Sequence, residues 1–412
     1  MSEARYIGEI ETRLRALVHR SARFEQMCLE MEGAYPVLLK DILTRWGVHV
    51  DPNGHSHLSW VASPSPNVRQ ALDLLKEAPE AHPLNFDWYF HESTLQELVP
   101  MLSKFRSVLC LGCPTVFAAL QQHQNGGLSA LVDINEPLLD FLRLRIRRPE
   151  TLIMGDLRKP LPRELTGRFE AVVVDPPWYT PFYFSWLQRA AEAVRKGEVF
   201  LSLFPRLLRP TAAQERTRIV KATRKAGADV KVHRDVLLYD TPPFETAALG
   251  RSGISLHHPW KKADLLQIRI ERPLMLPQCR VIQEPEIDYL TYQIDRRIVK
   301  LRKAALDDPS TAVCLQSPYE DGSTILKSVS RRDRERTSIH LWFSNGRVYR
   351  VKGGRILAEV LGQLQMGLGE EAIMNCPEIR SVVQRGQIKA ILETIHFALE
   401  GDSDAYTGTE VR

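Results

Sequence analysis

The chain has 412 residues, 44% hydrophobic and 25% charged, an ordinary globular balance with room for two or three cores. Its six cysteines are too sparse for a disulfide framework, and no run of about eighteen apolar residues offers a membrane-spanning helix, so a soluble, cytoplasmic protein without membrane contact is expected. A formal net charge of +5 permits an acidic partner such as nucleic acid and requires none.

Residues 5–46 carry apolar side chains at helical spacing (Ile7, Ile10, Leu14, Leu17, then Leu38, Leu39, Ile42, Leu43), broken near Ala34-Tyr35-Pro36. A stretch rich in Pro, Ser, Gly and His, Asp51–Pro66, precedes a further helix over Val68–Glu77. Residues 1–80 therefore read as a helical N-terminal domain, with a winged-helix type as one option.

From Ser107 short apolar runs alternate with helical stretches: SVLCLG, LSALVDI, TLIMGD, FEAVVVDPPW, GEVFLSLFP, DVKVHRDVLLY and ADLLQIRI. Strands separated by helices predict a mostly parallel sheet of seven strands covered on both faces, an α/β, Rossmann-like domain over 84–272. Only a loop is expected between the last two strands, which should form an antiparallel edge. After Pro273 the sequence predicts a helix around Tyr289–Ala305, a hairpin in SIHLWFSNGRVYRVK turning at Asn345-Gly346, and helices beyond Arg355. These make a small α+β domain over 275–405, with a winged-helix-like arrangement as one option, followed by a polar tail, GDSDAYTGTEVR.

Ligands of an open parallel sheet bind beyond the carboxyl ends of its strands, at the switch in strand order. The first strand ends Leu111-Gly112, where glycine lets the backbone approach a ligand and the turn presents amides at a helix start. The second ends in Asp133, twenty-one residues after Gly112, close to the spacing of an acid that binds ribose hydroxyls. The third ends Asp156-Leu157, a carboxylate that could accept from an adenine amino group or else cap its own turn.

The fourth strand runs directly into Asp175-Pro176-Pro177-Trp178-Tyr179. Two adjacent prolines stop the ladder and fix φ, so the loop is stiff. The Asp175 carboxylate and the Pro176 carbonyl can each accept one N–H of an amine and turn its lone pair toward an electrophilic methyl group, while Trp178 offers a stacking face. The reading is a transferase acting on an amino nitrogen, with Asp175, Pro176, Pro177 and Trp178 as the catalytic loop.

These residues resemble the amino-methyltransferases, and in detail the N6-adenine methyltransferase-like family, whose members include protein-lysine and ribosomal-RNA adenine methyltransferases. The resemblance covers about residues 84–272, including Phe86-Asp87-Trp88-Tyr89-Phe90, the helix opened by Glu92-Ser93-Thr94, LCLGCPTVF, LVDIN and GDLRKPLP. It implies a class I methyltransferase core and S-adenosyl-L-methionine as cofactor. By it, Leu111, Gly112, Asp133, Asp156 and Leu157 would lie at the cofactor, Asp175 to Trp178 would hold the target amine, and Tyr179, Trp88 and Phe244 would meet the substrate. The sequence departs from the family in its first loop, where Cys113-Pro114 replaces a glycine-rich turn. A second resemblance, through GDLRKPLP…FEAVVVDPPW and Tyr239-Asp240-Thr241-Pro242-Pro243-Phe244-Glu245, is to branched-chain polyamine synthases, which transfer an aminopropyl group. Those enzymes carry an acidic Gly-Asp-Asp-type first loop that CLGCPTVF lacks.

The remaining chemistry-bearing residues have plainer readings. Cys110 and Cys113 form C-x-x-C at the end of an apolar run without a second pair, so packing is expected, and His233, His257 and His258 lack ligand spacing, so no metal is expected. Arg143, Arg145, Arg147 and Arg148, and the run from Lys327 to Arg336 with Arg347, Arg350, Lys352 and Arg355, are either phosphate tracks or solvated faces. Trp342, Phe343 and Tyr349 either stack on bases or build their own module's core. The expected function is N-methylation of an amino group, adenine N6 in RNA or DNA ahead of a protein side chain. Aminopropyl transfer to a polyamine, or a binding module on a decayed methyltransferase scaffold, are the alternatives.

Overall fold

The computed structural model describes residues 2–48, 64–85, 87–122, 127–277, 288–308, 310, 312–330, 333–380 and 385–400. Residues 51–63 of the polar N-terminal stretch, Phe86, Cys279, Arg331, Arg332 and the tail 401–412 lie outside them. The chain divides into two compact units, one of Met1–Ala78, Trp88–Thr241 and Ser252–Gln283, the other of Pro79–Asp87, Pro242–Arg251 and Glu284–Arg412.

The first unit is built on β1 (Ser107–Leu111), β2 (Leu128–Asp133), β3 (Leu152–Met154), β4 (Ala171–Val174), β5 (Gly197–Leu203), β6 (Asp229–Tyr239) and β7 (Lys261–Ile270). They form one sheet in the order β3-β2-β1-β4-β5-β7-β6. All run parallel except β7, which is antiparallel to β5 and β6. This is the class I methyltransferase fold, and its strand order reverses between β1 and β4.

Both faces of the sheet are covered, which is why its central strands read as unbroken apolar runs. Val108 and Cys110 of β1 pack on one side with Val173 and with Leu95, Leu98 and Phe117 of the covering helices. Leu109 and Leu111 pack on the other with Val172, Val174, Tyr183 and Leu187.

The helices expected as a separate domain over 1–80 belong to this same unit. Tyr6 donates its hydroxyl to the Leu207 carbonyl at 2.8 Å, the Leu207 amide donates to the Glu32 carbonyl at 2.9 Å, and Lys40 Nζ donates to the Ser252 carbonyl at 2.6 Å. Helix Pro66–Lys76 contributes Val68, Ala71 and Leu75 to the core that contains β1.

Between β6 and β7 the expectation of only a loop fails, because helix Pro243–Arg251 lies there. Pro243 begins it, a residue whose fixed φ suits the first helical position, and the alanine-rich FETAALGR continues it. The helix belongs to the second unit.

The second unit holds an antiparallel sheet in the order β10-β12-β11-β9-β8, from β8 (Tyr289–Ile294), β9 (Arg297–Arg302), β10 (Cys314–Gln316), β11 (Leu341–Phe343) and β12 (Val348–Lys352). Helices Gly354–Gln365 and Arg385–Glu400 supply Leu357, Val360, Leu361, Ile388 and Leu392 to its core. The hairpin at Asn345-Gly346 forms with Gly346 at φ +89°, where an added Cβ would stand 3.0 Å from Phe244 Cα.

The helix expected over Tyr289–Ala305 is instead the β8–β9 hairpin. Leu290, Tyr292, Ile294, Ile298 and Leu301 fit a helical period loosely, but Asp295-Arg296 forms the tight turn. Asp295 takes a left-handed φ of +52°, which a short polar side chain tolerates.

Candidate active site

The turn after β1 and the loop after β4 meet at the switch in strand order. The Asp175 amide donates to the Leu111 carbonyl at 3.2 Å, which ties the two strand ends together. Gly112 has φ +66°, and a Cβ there would lie 2.9 Å from a ring carbon of Trp186 and 3.5 Å from the Asp175 carbonyl oxygen. Only glycine fits this conformation and this close approach. The indole N–H of Trp186 is buried and has no acceptor among the described residues.

Asp133 ends β2 almost wholly buried, and its Oδ1 accepts from the Asn135 amide at 2.9 Å. Burial pushes its pKa up to about 6 against the opposing pull of the Asn135 and Ile134 amides. Asp156 sits just beyond β3. Its Oδ1 accepts from the Arg158 amide and Nε, each at 2.9 Å, and its Oδ2 from Arg158 Nε at 3.0 Å and Nη2 at 2.8 Å. Partial burial would raise this carboxyl, but the Arg158 bonds and charge hold it below the usual range. Leu111 and Leu157 are both buried in the sheet's core.

The loop Asp175-Pro176-Pro177-Trp178 leaves β4 and ends where helix Thr180–Val194 begins. Two hydroxyls converge on one carboxylate oxygen: Ser202, from β5, and Tyr239, from the end of β6 at 2.9 Å, both donate to Asp175 Oδ1. Among the described residues no donor is bonded to Oδ2, which is open to another. Burial pushes the Asp175 pKa up to about 6, while the Ser202 and Tyr239 hydrogen bonds and the Lys261 charge act to lower it. Ionised, this carboxylate can accept an N–H and face a developing positive charge.

Trp178 stands edge-on to Tyr239, with ring centroids 5.5 Å apart and an 83° interplanar angle. Lys261 Nζ lies 4.6 Å from the Trp178 ring centroid and 3.2 Å from that of Trp88. Tyr179 precedes the helix, and the far side of that junction is fixed by Thr180, which donates to Glu215 Oε2 at 2.8 Å. Glu215 is itself paired with Arg209, whose guanidinium lies 5.4 Å from the Tyr179 ring centroid. Burial would raise Glu215, but the Arg209, Thr211 and Thr180 bonds bring its pKa down to about 2.

The structure thus brings Leu111, Gly112, Asp175 and Trp178 together at one sheet edge, with Asp133 at the end of β2 and Asp156 just beyond β3. Phe244 lies in the second unit, buried against Gly346. The structure adds Ser202, Tyr239, Lys261 and Trp186, to which the sequence alone assigns no site role. Ser202 carries a signal, a polar residue inside the apolar run GEVFLSLFP, and Tyr239 ends the strand run DVKVHRDVLLY. Lys261 and Trp186 carry none.

Cys110 and Cys113, and Trp342, Phe343 and Tyr349, take their plainer readings. Cys110 and Cys113 are free, fully buried thiols, pushed up in pKa chiefly by that burial. Trp342, Phe343 and Tyr349 are core side chains of the second unit. Its basic residues are largely engaged within it. Arg336 donates to the Val329 and Pro83 carbonyls, Arg350 to the Pro318 carbonyl and Arg355 to the Leu306 carbonyl. No described helix is long and apolar enough to cross a membrane.

Residues 85–241 match the model of a family described as "Probable N6-adenine methyltransferase". Among solved structures, the branched-chain polyamine synthase of Thermus thermophilus, in complex with N4-aminopropylspermidine and 5'-methylthioadenosine, is similar at 16% identity with a TM-score of 0.50, over 64% of this chain and 87% of that one. An engineered form of the same enzyme, with the same two ligands, is similar at 17% identity and the same score, over 65% and 88%. At that identity the likeness concerns the fold. No curated protein matches the chain in sequence.

Proposed function

From a core whose residues 85–241 match the N6-adenine methyltransferase family model, we propose that this chain is an S-adenosylmethionine-dependent transferase that methylates an amino nitrogen, adenine N6 in nucleic acid being the leading acceptor. The observation that carries the reading is the Asp175 carboxylate, held through one oxygen by Ser202 and Tyr239 beside Gly112 at the switch in strand order.

The residues fit the cofactor. Gly112 lets the turn after β1 pass directly under the Trp186 ring, Asp133 is a buried acceptor for hydroxyls, and the buried Trp186 N–H has no acceptor among the described residues. Asp156, both of whose oxygens are bonded to Arg158, would accept from the adenine amino group through a remaining lone pair, and Leu111 and Leu157, buried in the core, would meet the cofactor through their backbone. S-adenosylmethionine, when bound, supplies an electrophilic methyl group. The chain's part is to orient the acceptor: Asp175 Oδ2 and the Pro176 carbonyl accept the amine's two N–H groups, the rigid prolines fix both, and Trp178, with Tyr179 and Trp88 near it, offers aromatic faces. The nitrogen lone pair then points away from the loop, and the charge it develops faces the carboxylate.

Calorimetry with S-adenosylmethionine and with its decarboxylated form tests the cofactor. Tighter binding of the former, with labelled-methyl transfer to adenine-containing RNA or DNA, is expected. Preference for the decarboxylated form, with transfer to spermidine, would establish aminopropyl transfer instead, a reading favoured by the likeness to the polyamine synthase. Binding of neither would leave a binding module.

A further inference from the structure

Lys261 opens β7 directly opposite Tyr239 of β6 in the antiparallel register. That placement sends one side chain toward three parts of the site at once. Its ammonium is within cation–π range of both Trp88, at 3.2 Å from the ring centroid, and Trp178, at 4.6 Å. The Trp178 ring in turn stands against Tyr239, whose hydroxyl donates to Asp175. Trp88 and Trp178 come from segments far apart in sequence, and Lys261 is the charged group common to both.

We propose that Lys261 is a positioning residue of the amine site: it fixes the Trp88 and Trp178 rings by cation–π contact and keeps a positive charge within electrostatic reach of the Asp175 carboxylate. The assignment rests on Asp175–Trp178 being the loop that holds the amine.

The groups facing Asp175 from the surrounding elements are few. Ser202 and Tyr239 donate to it from β5 and β6. Cys113 after β1, Tyr183 in helix Thr180–Val194 and Tyr239 itself each feel the carboxylate's charge and are pushed up in pKa, burial being the first cause, so they stay neutral at physiological pH. Among the described residues, Lys261 is the cation whose charge acts to lower Asp175. Removing it leaves the same burial without that opposing charge.

The test needs no substrate. Full-length protein carrying 13C-carboxyl aspartate is titrated by NMR, with the Asp175 signal assigned by its loss in Asp175→Asn. In Lys261→Met the Asp175 midpoint is expected to rise by roughly one pH unit, the scale of removing a nearby opposite charge, and to return in Lys261→Arg. Indole N–H signals assigned through Trp88→Phe and Trp178→Phe should shift in Lys261→Met while those of the other tryptophans stay. Lys261→Gln serves as the second neutral variant if Lys261→Met fails to fold. An unmoved Asp175 midpoint together with unmoved Trp88 and Trp178 signals would overturn the assignment. That result would leave the transferase reading standing, which fails separately if neither form of the cofactor binds.

Discussion

The Tyr239 hydroxyl reaches Asp175 Oδ1 at 2.9 Å although β5 and β7 lie between their strands in the sheet. With Ser202 on the same oxygen, this bond directs Oδ2 as the free acceptor. Tyr239→Phe keeps the ring's packing on Phe90 and Trp178 and removes only the donor. A hydrogen bond to a charged group contributes about 1.5–3 kcal/mol, so methyl transfer is expected to slow by roughly 10- to 100-fold. The melting temperature should fall by a few degrees as well, because the same bond is lost from the folded protein. Steady-state kinetics alongside thermal melting decides it, and an unaltered rate would remove Tyr239 from the site.

Asp175→Asn replaces an acceptor-only carboxylate with an amide that cannot balance a positive charge. Turnover is expected to fall roughly 100-fold or more while calorimetry shows S-adenosylmethionine still binding. Equal losses of binding and turnover would mean that the residue serves the cofactor and not the amine.

The pH dependence follows from two buried carboxyls. Asp133 and Asp175 each titrate near 6, raised by burial from an ordinary 3.8. Both must be ionised to accept hydrogen bonds from ribose and amine, so kcat/KM should decline as pH falls through about 6. Stability moves the other way. A group with a raised folded pKa contributes most below its unfolded pKa, and that contribution is lost as pH rises through the folded one. The melting temperature of Asp133→Asn relative to the unmodified protein should therefore climb between about pH 4 and 6. A flat difference across that window would contradict the burial argument.

Gly112→Ala combines a left-handed φ with a Cβ at 2.9 Å from Trp186. The strained backbone costs about 1–3 kcal/mol, and the displaced indole disturbs the cofactor's approach. Both a lower melting temperature and weaker S-adenosylmethionine binding are expected. Adding Trp186→Leu should relieve the collision but not the dihedral strain, so stability should recover only in part; full recovery would show that the backbone is unstrained.

The sequence by itself determined the first unit's sheet and the loop at its centre. Strand interiors are read locally, because a sheet covered on both faces needs short apolar runs, and those runs ended in Gly112, Asp133, Asp156 and Asp175. The Asn345-Gly346 turn was legible for the same reason: its dihedrals depend on the residues that adopt them. The Tyr289–Ala305 segment misled because its apolar spacing fits two periods, and the deciding turn rests on an aspartate in a left-handed conformation. Which side chains complete the site was decided only by tertiary structure. Lys261 reaches Trp88 and Trp178 through the β6–β7 register, Ser202 meets Asp175 through the β4–β5 pairing, and Trp186 covers Gly112 from the helix beyond the loop. Likewise Trp342, Phe343 and Tyr349 became core because the second unit's strands and helices close over them. Spacing along one strand fixes the face a residue takes, but its partner across the sheet is fixed by pairings between segments far apart in the chain.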